Sequence, residues 1–436
     1  MLRQQADELF RQGLQFHREG ALQQAAQCYA DVLALQPDHY LALNNAGLLA
    51  WDLGRSERAL VLLNAARALA PEDPEVLKNL ARVQLKLGDT ESAEKTFQDA
   101  LSHSRGDSRL LLELADVLYD RGRIDEAKDL LEAQLEKTPA PVQTLFRLGV
   151  ICMRKGDHAN AENRLRQALA LEPTNSQILN QLADQYLLSR KTDQAGECLN
   201  LSLQHDPGNT RALALLAVLF NLAGDEQQLF QLYRPDRLLR ETFVSVPNGY
   251  ASLKEFNATL LAGITQHAEM RTESDDRATT NGLQSRSISA LPFAAMTRLN
   301  AIISEAVAHM QERCLSDDLA SLPFSQALPE SYRIESWLVR LRDGGYQKPH
   351  VHPSGWLSGC YYLEVPDAVG RAGSDAGFLE FGRPEDIYQV EAPAIFHAYR
   401  PSPGGLVTFP SYYWHNTIPF RSTQERICIA FDIRPA

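Results

Sequence analysis

The sequence predicts a multidomain chain: an all-α array of paired helices followed by a jelly-roll or cupin-like β barrel with flanking helices. Three observations carry this. Alanine recurs every 34 residues through the first half, short strands rich in aromatic and β-branched residues fill the last hundred positions, and three histidines fall at the ends of those strands.

With 436 residues the chain exceeds one ordinary core, since domains run to roughly 100–200 residues. Its 44% hydrophobic and 22% charged residues suit a globular protein. The balance of 43 basic against 55 acidic residues, net −12, disfavours nucleic acid, whose binding depends on neutralising phosphates. Six scattered cysteines form no CxxC pair, which argues against a disulfide framework or a zinc ribbon. The opening MLRQQADELFRQG lacks the apolar core of a signal peptide, and no apolar run approaches the roughly 20 residues that span a bilayer. The expected setting is cytoplasmic, with no membrane partner.

The repeat is read from Ala25, Ala59, Ala93, Ala127, Ala161 and Ala195, each followed four positions later by a large residue: Tyr29, Leu63, Phe97, Leu131, Leu165 and Leu199. Small residues recur earlier in each unit, at Gly13, Gly47, Ala81, Ala115, Gly149 and Ala183, where two helices must cross closely. Proline closes most units, at Pro37, Pro71, Pro139, Pro173 and Pro207, because it cannot continue a helix; the third unit carries Arg105 instead. This pattern resembles tetratricopeptide repeats over about residues 6–209. The resemblance implies antiparallel helix pairs stacked into a superhelix with a concave groove that binds a protein or peptide. It also suggests that Asn45 and Asn79, at equivalent positions, hold an extended peptide; the series then breaks to Glu113, Arg147 and Gln181. Six repeats are expected over 1–209, a capping helix (Ala212–Gly224) and linker over 210–240, and the barrel over 241–436.

Past Tyr233 the period is lost, through polar runs such as TESDDRATTNG. FAAMTRLNAIISEAVAHMQERC (Phe293–Cys314) reads as one amphipathic helix. Candidate strands follow in IESWLVRLR, WLSGCYYLEV, GFLEFG, GLVTFP and RICIAFDI.

Chemistry concentrates among these strands. His350 and His352 form an H-x-H pair, which in an extended strand shares one face, and His415 ends the run GLVTFPSYYW, where a barrel would set it opposite the pair. Imidazole suits Fe, Zn, Cu or Ni, and three such ligands leave coordination positions open. Arg426 opens the strand RICIAFDI, where a permanently charged guanidinium needs an anion, most naturally a carboxylate. His397 reads as structural.

The blocks HVHPSGWLSGCYYLEVP, GFLEFGRP, GGLVTFPSYYWHNTIPF and ERICIAF resemble the iron(II)- and 2-oxoglutarate-dependent oxygenases, in their bacterial and phage branch, most strongly over 332–434. The resemblance implies a double-stranded β-helix, with Fe(II) and 2-oxoglutarate as cofactor and co-substrate and ascorbate as a reductant in vitro. It matches His350 and His415 to metal ligands and Arg426 to the co-substrate anchor. The middle ligand of that superfamily is usually a carboxylate. Here His352 stands in its place, which leaves open whether His352 ligates, whether the site is a three-histidine one, or whether another residue completes it. Tyr362 resembles a strand tyrosine that reaches the co-substrate; Tyr361 would point the other way. The implied activity is hydroxylation of a protein or peptide recruited by the repeats. A scaffold with a catalytically silent metal-binding barrel, or an oxygenase for a small molecule, are the alternatives.

Overall fold

The recurring alanines lie at helix crossings. Ala25, Ala59, Ala93, Ala127, Ala161 and Ala195 are all fully buried, and so, within 1%, are the large residues four positions on. The small residues act as expected from sterics: a Cβ at Gly47 would lie 2.8 Å from Leu63 Cγ, and one at Gly149 would lie 2.6 Å from Leu165 Cγ. The computed structural model describes residues 2–104, 107–135, 141–268, 270–272, 278–316, 318–371 and 373–436. Pro139, Arg105 and the centre of TESDDRATTNG lie outside them.

The described chain divides into two compact units, Met1–Leu171 and Glu172–Ala436. The first is built of helix pairs, from Leu2–Arg18 with Leu22–Leu35 through to Val142–Arg154 with His158–Leu171. Asp73 and Asp107 accept hydrogen bonds from backbone N–H groups that would otherwise be unpaired at the starts of their helices. Successive first helices are tied by polar pairs: Asn79 Nδ2 donates to Asn44 Oδ1 at 3.0 Å, Arg82 Nε to Glu113 at 2.8 Å, and Arg147 Nη2 to Asp116 at 2.9 Å. Of the two asparagines expected to hold a peptide, Asn79 is therefore committed internally. Asn79 is buried on Asn44, Asn45 donates back to Leu41 O at 2.8 Å, and Glu113 and Arg147 are engaged between repeats.

The second unit begins with the helices Ser176–Leu188, Thr192–His205, Thr210–Ala223 and Glu226–Tyr233. This differs from the division at 210–240 read from the sequence, because these helices share buried contacts with the β region. Trp414 Nε1 donates to Ala214 O at 2.9 Å, and Thr210 Oγ1 to Gly355 O at 3.0 Å. Tyr388 Oη donates to Asp184 at 2.8 Å, and Asp184 also receives Arg211 at 2.8 Å.

The strands are β1 (Arg240–Phe243), β2 (Met270–Thr272), β3 (Thr279–Ser285), β4 (Tyr332–Gln347), β5 (Leu357–Glu364), β6 (Leu379–Phe381), β7 (His397–Tyr399), β8 (Gly405–Pro410), β9 (His415–Thr417) and β10 (Arg426–Pro435). They form two antiparallel sheets, in the orders β1-β8-β5-β10-β4-β3-β2 and β7-β6-β9. Phe381 and Phe409, one from each sheet, meet at 4.9 Å between ring centroids, so the two inner faces pack together. The outer face of the larger sheet is covered by helices. Tyr361 donates to Asn257 Oδ1 at 2.7 Å in the helix Leu253–His267. The helix Ala294–Cys314 buries Met296, Leu299, Ile303, Val307 and Met310, the periodicity expected of it.

Candidate metal centre

Residues opposite one another in an antiparallel pair share a face. Arg426 faces Leu341; Cys428 faces Val339 and Tyr362; Ala430 faces Cys360; Asp432 faces Glu335 and Ser358. Arg426, Tyr362, Ser358 and Asp432 therefore line the inner face of the larger sheet. Tyr361, opposite Ile429, belongs to the helix-covered face. In the smaller sheet, His415 is opposite Phe381 and Thr417 opposite Leu379, so both point inward with Tyr399.

His350 and His415 are joined by reciprocal backbone hydrogen bonds, His350 N to His415 O at 3.0 Å and His415 N to His350 O at 3.1 Å. His352 donates its backbone N–H to Ser411 O at 3.0 Å. These bonds gather the three imidazoles, with one ring nitrogen from each within 4.8 Å of the others. The H-x-H pair lies just past β4, held by a single bridge and a turn where an extended strand was expected.

Each ring is fixed by its other nitrogen. His350 Nδ1 lies 2.7 Å from Lys348 O, His415 Nδ1 2.9 Å from Tyr413 O, and His352 Nδ1 3.0 Å from Asp432 Oδ2. A carbonyl can only accept, so Nδ1 of His350 and of His415 carries the proton and Nε2 keeps its lone pair for a metal. Burial, reinforced by the neighbouring His352, pushes His350 down to about 4; burial and the other two histidines hold His415 well below its ordinary range. Neutral imidazole is the form a metal needs.

On the inner face of the larger sheet, Arg426 is 1% exposed, and its Nη2 donates to Tyr362 Oη at 3.1 Å. Its guanidinium carbon lies 4.9 Å from the centre of the same ring. Burial holds the Tyr362 phenol well above its ordinary range, so its proton remains free to donate. Arg426 Nε has no hydrogen-bond partner, and among the described residues no carboxylate pairs with the guanidinium. The Thr417 hydroxyl, 1% exposed and two positions past His415, is also without a partner. Tyr399, from the same row of the smaller sheet, reaches Tyr362 at 5.7 Å between centroids. A buried cation and a buried hydroxyl left unsatisfied call for an anionic oxygen ligand.

His397 pairs with Glu241 of β1 and stands apart from the three histidines. Sequence reasoning missed Asp432, Ser358 and Thr417. The signals were there: a lone carboxylate in the apolar strand RICIAFDI, and a threonine two residues from a ligand candidate, on its face.

Residues 335–432 match a family described as "Putative 2OG-Fe(II) oxygenase". Tetratricopeptide-repeat models match 10–74, 50–100, 85–145 and 153–219. Among solved structures, a tetratricopeptide repeat protein from Parabacteroides merdae is 18% identical, with 52% of this chain and 90% of that one covered, at a TM-score of 0.46. The C-terminal part of a TPR repeat-containing protein from Cytophaga hutchinsonii is 14% identical, covering 52% and 93%, at 0.43. YrrB, a TPR protein with an unusual peptide-binding site, is 18% identical, covering 43% and 97%, at 0.36. No curated protein matches the chain. The chain thus joins tetratricopeptide repeats, over 10–145 and 153–219, to a segment, 335–432, that matches the 2OG-Fe(II) oxygenase family.

Proposed function

We propose that this protein is an Fe(II)- and 2-oxoglutarate-dependent oxygenase that hydroxylates a protein or peptide recruited by its repeats. One observation carries the reading: a cluster of three histidines accompanies a buried arginine, on the inner face of the larger sheet, whose Nε is unpartnered. His350, His352 and His415 would hold the metal through Nε2. Arg426 would receive the distal carboxylate of the co-substrate, with the Tyr362 phenol donating beside it and the Thr417 hydroxyl completing the set. Bound together, iron and 2-oxoglutarate supply oxidation of a C–H bond coupled to decarboxylation of the co-substrate. The chain's own share is orientation: Lys348 O, Tyr413 O and Asp432 fix the three rings, and the aromatic residues Phe381, Phe409 and Tyr399 exclude water.

Tetratricopeptide repeats generally bind proteins or peptides, which supports a macromolecular substrate. Purified protein with Fe(II), ascorbate and 2-oxoglutarate is expected to release succinate, and to do so faster with its substrate protein. Failure to bind 2-oxoglutarate in the presence of metal would sink the reading.

A further inference from the structure

Asp432 is a carboxylate with 2% of its surface exposed, and among the described residues no lysine or arginine pairs with it. Its Oδ2 lies 3.0 Å from His352 Nδ1, and its Oδ1 accepts the Ser358 hydroxyl at 2.7 Å. Ser358 meets Ser411 Oγ at 2.7 Å, and Ser411 O in turn accepts the His352 backbone N–H at 3.0 Å. His352 and Asp432 are thus fixed by one closed network. The Trp337 ring stacks on His352, with centroids 5.7 Å apart and planes at 24°.

A buried carboxylate with no cationic side chain is costly unless a positive charge lies close by. His350 and His415 rest on neutral carbonyls; His352 alone rests on an anion. The charge that compensates Asp432 must therefore come through the His352 ring, either as a ring proton or as a metal on Nε2. Since one ring nitrogen from each of His350, His352 and His415 lies within 4.8 Å of the others, the second arrangement uses every group present.

We infer that Asp432 is the carboxylate of this metal centre, acting through His352 as a positioning and charge-donating residue in place of a directly coordinating Asp or Glu. This rests on the metal-site reading proposed above. The hydrogen bond to Asp432 keeps His352 in its Nδ1–H tautomer and pushes electron density toward Nε2. A three-histidine set is neutral, and Asp432 returns one negative charge one ring away from the metal.

The test uses the full-length protein and two probes: Co(II) affinity by chelator competition, and the Fe(III)/Fe(II) potential. If the wild-type protein binds no Co(II), the metal-site reading itself fails. If it binds and His350→Ala abolishes binding, Asp432→Asn is expected to weaken Co(II) by about 10- to 100-fold and to raise the potential, because lost negative charge disfavours Fe(III) more than Fe(II). In a His352→Asp background, where no imidazole links Asp432 to the metal, Asp432→Asn should change affinity and potential much less. Unchanged affinity and potential in Asp432→Asn, or an equal loss in both backgrounds, overturns the inference. Should Asp432→Asn not fold, Ser358→Ala takes one hydrogen bond from the same carboxylate while leaving its charge. It is expected to lower the potential, and no shift would overturn the inference equally.

Discussion

Arg426 donates to Tyr362 Oη at 3.1 Å and lies over the same ring, yet its Nε has no partner. A phenol holds one edge of the guanidinium, the Cys428 thiol also lies beside it, and no carboxylate among the described residues answers its charge. Arg426→Gln is therefore expected to weaken 2-oxoglutarate binding to the Mn(II)-loaded protein by about 10- to 100-fold, the loss of charge-assisted hydrogen bonds. Metal affinity should stay at the wild-type value. Calorimetric titration showing equal co-substrate affinity in both proteins would remove Arg426 from the anchor.

Thr417 makes a sharper case, because stability and binding should move in opposite directions. Its buried hydroxyl has no partner, so Thr417→Val removes an unsatisfied group at nearly constant shape and should leave melting of the co-substrate-free protein unchanged or slightly raised. Co-substrate affinity should fall by about 3- to 10-fold, one neutral hydrogen bond's worth. A fall in melting temperature without a change in affinity would assign Thr417 to packing instead.

Within the repeats, Asn79→Ala strands Asn44 Oδ1 in the interior and is expected to destabilise the protein by about 1–3 kcal/mol. Among the described residues Asn45 bonds only its own helix, so Asn45→Ala should stay within about 0.5 kcal/mol. Denaturant unfolding of the two variants compares them directly. Equal costs would contradict the buried Asn44–Asn79 pair.

Arg190 donates to the carbonyls of Tyr388 and Gln389 at 2.8 and 3.1 Å, Tyr388 donates to Asp184, and Ala394 N donates to Asn221 Oδ1 at 2.9 Å. These bonds fasten the connection between β6 and β7. Removing the phenol of Tyr388 leaves Asp184, among the described residues, with Arg211. Tyr388→Phe should speed backbone hydrogen exchange at Gln389 and Ala394 about tenfold. Exchange unchanged from wild type would mean that the other bonds suffice.

Much of this was legible because it obeys a period. A spacing of 34 places Ala25 through Ala195 at helix crossings whatever the surface does, and period two places Arg426 and Asp432 on one face of a strand. The partnership of His350 with His415 was open to inference because each follows an apolar strand-like run. What sequence could not supply is register across the sheet. Tyr362 and Tyr361 are equivalent as neighbours in a strand, and only the pairing of Cys428 with Tyr362 says which one faces inward. Asp432 was passed over because a carboxylate near the end of RICIAFDI looks like a solvated strand end until its burial is known. The division near 171 was invisible for a related reason, since the repeat motif runs through it unbroken while the contacts that define the unit are distant in sequence.

Those distant contacts bear on how such a chain can be recombined. The phenol of Tyr388 is tied to the carboxylate of Asp184, in the helix Ser176–Leu188. A crossover placed at the visible end of the repeats, near 209, would cut that tie and hand the barrel a stranger's helix against its tyrosine. Exchange of the repeats is expected to be tolerated only upstream of the helices that the barrel has taken as its own.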